Sequence, residues 1–154
     1  MKKLSEDIQI SLSTAPDRIS EILEIMIEHV EADFCINVEE CQGDNSYWSS
    51  TSTLLVEEEG ICGTIELGDQ QSGFEKIVSL AHEVGHCVLA SDSNFGDYKE
   101  TIFKESLAWY LGYEYFLKQG WTIDLRQYRE RTTIALNKYI WSLNERNVKY
   151  KKKN

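Results

Sequence analysis

Residues 80–89 read LAHEVGHCVL, and within them His82 and His86 stand four positions apart with Glu83 between them. The run extends back to Phe74, and Ile77, Leu80, Ala81, Val84 and Val88 recur at helical spacing, which predicts a helix over residues 74–90. At about 100° of turn per residue the two histidines lie about 40° apart, while Ile77, Ala81, Val84 and Val88 cluster on nearly the opposite side. The imidazoles therefore face away from the helix's own apolar stripe, toward a cleft.

Outward from this helix the chain offers few other elements. Upstream, Ile19, Ile22, Leu23, Met26, Ile27 and Val30 predict an amphipathic helix over residues 15–31, with Thr14 as its N-cap and Pro16 in the first turn. FCINVEE, STLLVEEE and ICGTIELGD follow as three short strand-like runs, the last two joined by EEEG as in a hairpin. Downstream, a helix over residues 98–119 is stopped by Gly120, and another runs over residues 124–146. The expected fold is α+β: an N-terminal helix, a small three-stranded and mainly antiparallel sheet, the histidine helix, a further helix and a C-terminal helix. One domain spans residues 1–154, with 1–13 and 149–154 peripheral or flexible.

Composition narrows the possible partners. With 154 residues, 42% of them hydrophobic, the chain suffices for one compact core. A net charge of −10 argues against binding nucleic acid, which demands a basic surface. The apolar runs are far shorter than a membrane span, and the start of the chain lacks a signal-peptide pattern. Cys35, Cys41, Cys62 and Cys87 form no C-x-x-C pair, so reduced thiols and a cytoplasmic location are expected.

His82-Glu83-Val84-Gly85-His86 satisfies H-E-x-x-H, in which two histidines on one helix face reach a single Zn²⁺ at about 2.0–2.1 Å. Glu83 lies too far round the helix to join them easily, but is placed to act as general base toward a zinc-activated water and to hand the proton to a leaving amine. A third ligand must come from elsewhere. Glu105 follows His86 after eighteen residues, enough to return on an antiparallel helix, and Ala108 and Gly112 lie within about 60° of it, so two helices can approach closely there. The alternative is Asp92, six residues after His86, but the glycine that a compact turn back to the metal needs is replaced by Leu89. Glu105 is favoured. Cys87 is close enough to be considered and reads better as a small buried hydrophobe. His29 reads as a helix-end histidine, and Tyr110, Tyr113 and Tyr139 are undifferentiated candidates for an oxyanion donor.

HEVGH followed by Glu105 in ESLAW resembles the gluzincin group of zinc metallopeptidases, and the order of elements resembles the small ImmA/IrrE-type domains and minimal single-domain gluzincins. The resemblance covers residues 15–120, and it departs from the usual E-x-x-A-N at Trp109. It implies one Zn²⁺ per chain held by His82, His86 and Glu105, Glu83 as general base, and an extended protein or peptide substrate pairing with the strand ICGTIELG. The function expected is hydrolysis of a peptide bond. The alternatives are a catalytically silent protein of the same fold that sequesters a partner, and hydrolysis of another amide.

Overall fold

The computed structural model describes residues 7–42, 47–50, 63–91 and 102–152. Its first helix, α1 (Pro16–Phe34), buries Ile19, Ile22, Met26 and Val30, the stripe that the periodicity marks. Pro16 opens it, as its missing N–H makes harmless there. The N-cap is Ala15 rather than Thr14, whose hydroxyl instead accepts a hydrogen bond from Ser11 N. At the other end Cys35 takes a left-handed conformation (φ 54°) and its N–H bonds back to Glu31 O, turning the chain sharply into the sheet.

That sheet has the order β2 (Ile36–Cys41), β4 (Gly63–Gly68), β3 (Tyr47–Ser50). β2 and β4 run parallel over six residue pairs, and β3 runs antiparallel along the other side of β4. It is therefore mixed, and the expectation of a mainly antiparallel sheet is corrected. Residue patterns mark where a strand lies but not its direction: β3 returns the chain antiparallel on the far side of β4, so β4, inserted between the two, runs parallel to β2. The predicted strand STLLVEEE and its hairpin lie outside the described residues, whereas β3 arises from a stretch read as a connection.

Two further strands, β1 (Ile8–Ile10) and β5 (Trp121–Ile123), pair in parallel as a separate sheet that the sequence reading missed. Each has three residues, too few to show a period. They tie the N-terminal segment to the link between α3 (Ile102–Lys118) and α4 (Leu125–Lys152). Gly120 (φ 84°) makes the turn after α3, and Ile8 N donates to its carbonyl. The last helix continues through Lys152, further than its apolar pattern runs.

The helix that carries both histidines, α2 (Gly73–Ser91), packs its apolar side into the core. Ile77, Leu80, Ala81 and Val84 are fully buried there in one cluster with Ile65 and Leu67 of β4 and with Met26 and Val30 of α1. Among the described residues no helix is long and apolar enough to cross a membrane.

Cys35 is exposed and holds a conformation that costs a side-chain-bearing residue about 1 kcal/mol. Cys35→Gly should therefore raise the unfolding free energy by about 1 kcal/mol. A urea midpoint that stays put or falls would contradict that strain.

Candidate metal centre

Two glycines set how α2 and α3 meet. A Cβ on Gly85 would fall inside the Ala108 carbonyl, and one on Gly112 inside the Ala81 carbonyl. The helices thus cross antiparallel with backbone against backbone, an approach open only to residues without a side chain. Ala108 and Gly112 are the small residues that the sequence marks beside Glu105. Their counterpart Gly85, one of the variable positions of H-E-x-x-H, was not recognised as the other half of the contact. Glu105 lies one turn before Ala108, so the same contact brings its carboxylate against His82 and His86.

The three side chains converge closely. His82 Nε2 is 3.0 Å from Glu105 Oε2, His86 Nε2 is 3.2 Å from Glu105 Oε1, and the two Nε2 atoms are 3.2 Å apart. A tetrahedral zinc site with bonds of about 2.0–2.1 Å has ligand atoms roughly 3.3 Å apart, so the donor set fits a cation of that size and preference. Protons alone serve the cluster poorly: if both Nε2 atoms donate to the carboxylate, two N–H groups face each other at 3.2 Å. A single central cation satisfies all three lone-pair donors. Among the described residues this is the one group of three metal-ligating side chains that meet within 4.8 Å.

Electrostatics point the same way. Burial works against the charged form of Glu105, but hydrogen bonds from His82 and His86, and their charges, hold its carboxyl well below the usual carboxylate range. Burial likewise opposes a charged His86, yet its hydrogen bond to Glu105 and the charges of Glu83 and Glu105 prevail over Lys104 and raise its pKa. Metal binding there competes with a proton. The side chains of His82, His86 and Glu105 remain 15–19% exposed, so the cluster opens to solvent.

Around it, Trp109 stacks on His82 with ring centroids 4.3 Å apart and planes 7° from parallel. Its indole N–H is buried without an acceptor among the described residues, so the faces of the ring rather than a hydrogen bond fix it. Tyr128 of α4 braces Trp109 edge-on and donates to its backbone carbonyl at 2.5 Å. Neither residue was anticipated, and only the position of Trp109, four residues after Glu105, hinted at contact.

Glu83 is 3% exposed, and its Oε1 lies 3.4 Å from His82 Nδ1, outside the group of three. Cys87 is buried and stands apart from the cluster. His29 packs edge-on against Trp121. Tyr113 donates to Ile123 O, and Tyr110 is exposed. Asp92 lies outside the described residues. Over Gly63–Glu66 the strand β4 is hydrogen-bonded to β2 on one side and to β3 on the other, so the part of ICGTIELG paired on both sides has no free edge for an extended substrate, while Ile61 and Cys62 lie outside the described residues. A cleft of about 480 Å³ opens beside His82 instead, bounded by α2, Trp109 and one face of α4.

Gly85→Ala should force the helices apart, costing about 3 kcal/mol of stability and at least tenfold in Co²⁺ affinity, read by denaturation and by optical titration. Unchanged metal affinity would show that the backbone contact does not position Glu105. Comparison of the chain with protein-family models, with curated proteins and with solved structures gave no match, and the metal centre rests on this geometry.

Proposed function

We propose that the chain is a zinc-dependent metallopeptidase of gluzincin type, acting on a protein or peptide substrate. The observation that carries this is the meeting of His82 and His86, one turn apart on α2, with Glu105 from the antiparallel α3, leaving the solvent side open. Structural zinc sites are normally closed by four ligands rich in cysteine, whereas two histidines, a carboxylate and an open position are the catalytic pattern. Zinc held there supplies a Lewis acid that polarises a carbonyl and acidifies water toward neutral pH.

The protein's own groups do the rest. Glu83, next in sequence to His82, takes a proton from the attacking water on its carboxylate and returns it to the leaving nitrogen. Trp109 holds the plane of the His82 ring. The cleft beside His82 receives the substrate. Cys35, Cys41 and Cys87 form no disulfide among the described residues, which favours a reducing, cytoplasmic setting.

A second reading, a silent metal-binding protein that sequesters a partner, draws on one observation: Glu83 Oε1 sits beside Nδ1 of His82, where it orients the ring. Glu83→Gln separates the two. The peptidase reading expects one zinc per chain retained and peptide cleavage reduced about 10²–10⁴-fold, measured by mass spectrometry of a peptide mixture. Undiminished cleavage would remove Glu83 as base, and no cleavage by the unaltered zinc-loaded protein would favour the silent reading.

Metal removal gives an independent check. With free zinc at about 100 times its dissociation constant, binding contributes about 2.7 kcal/mol. Chelation should therefore lower Tm by about 5–10 °C, reversibly on adding zinc. An unchanged Tm would contradict binding to the folded chain.

A further inference from the structure

The cleft beside His82 carries a charge opposite to that of the chain as a whole. The protein has a net charge of −10, yet one face of α4 lines this cleft with two cations, Arg131 and Lys138, seven residues apart and so nearly in line along the helix. Among the described residues that line the cleft the one carboxylate is Glu75, which Arg131 already engages at 2.6 Å. Lys138 has no such partner among the described residues. Between the two cations Ile134 and Ala135 form an apolar strip.

The opposite wall supplies a different group. Gln71 donates its amide nitrogen to Ser79 Oγ at 2.9 Å, while its Oε1 is buried with no hydrogen-bond partner among the described residues. Gln71 thus closes the wall without exposing that oxygen to the cleft. A ligand that fits presents alkyl carbons to Ile134 and Ala135 and a carboxylate to Lys138. An acidic amino-acid residue or a peptide's C-terminal residue has that combination.

We infer that this cleft is a specificity subsite of the proposed peptidase, taking a carboxylate of the substrate on Lys138, with Arg131 and its partner Glu75 framing the wall. The inference rests on the metallopeptidase reading for its location but not for its test. The carboxylate comes either from an aspartate or glutamate side chain or from the free C-terminus, and the two sources are separable.

The experiment is calorimetric binding of three short peptide hydroxamates to the zinc-loaded full chain, the hydroxamate anchoring each at the metal. One ends in Glu-amide, with a side-chain carboxylate only. One ends in Gln-amide, with none, and the third ends in alanine with a free α-carboxylate. At least one carboxylate probe should bind about fivefold tighter than the Gln-amide, and which one does so identifies the source. The preference should shrink as salt rises and disappear in Lys138→Ala, an exposed position whose loss does not threaten the fold. Lys138→Glu should reverse it. Equal binding of all three by the unaltered protein would overturn the subsite while leaving the metal centre intact. A carboxylate preference in a protein that cleaves no peptide would support the subsite and overturn the peptidase reading, and no binding of any probe would overturn both.

Discussion

The close contact between Gly85 and the Ala108 carbonyl, matched by Gly112 against the Ala81 carbonyl, is the constraint on which the site depends. Helices bearing ordinary side chains pack 8–10 Å apart, and a short acidic side chain on one then has trouble meeting two imidazoles on the other at hydrogen-bonding distance. Without side chains at the crossing, Glu105 comes within 3.0–3.2 Å of both ring nitrogens. Small residues that offer no donor atom thus decide whether three donors form one site. The rest of the fold holds this crossing from outside, with β4 and α1 beneath α2, and Tyr128 of α4 wedged on Trp109 of α3.

The donor cluster has its own internal tension. Two imidazole nitrogens and a carboxylate at these distances are joined by protons only with two N–H groups 3.2 Å apart, and burial adds to the cost of charge on His86 and Glu105. Such a cluster is poor as a purely structural device and well suited to a cation. Stacking of His82 on Trp109 adds directional order, because the ring plane is fixed before any metal arrives and less entropy is lost on binding. The faces of Trp109 thus orient the His82 ring by packing.

Much of the site was legible in the sequence because it obeys helical periodicity. The spacing of His82 and His86, the apolar stripe turned away from them, and the small residues beside Glu105 all follow from 3.6 residues per turn, and each lies where that period puts it. What escaped was non-periodic or depended on distant partners. β1 and β5 are too short to announce themselves, the direction of β2 relative to β4 is set by the antiparallel β3 that comes between them in the chain, and Thr14 lost its expected capping role to a local bond with Ser11. Trp109 and Tyr128 became visible only when α3 and α4 were brought together, since nothing in either stretch alone marks a ring contact across nineteen residues.

The identity of the donor atoms is the centre of this account, and zinc-edge X-ray absorption on the stoichiometrically loaded protein addresses it most directly. The account predicts a shell of nitrogen and oxygen at about 2.0–2.1 Å that includes two imidazoles, with one light-atom ligand lost or exchanged for water in Glu105→Ala. A sulfur scatterer at about 2.3 Å, or a shell indifferent to Glu105, would contradict it.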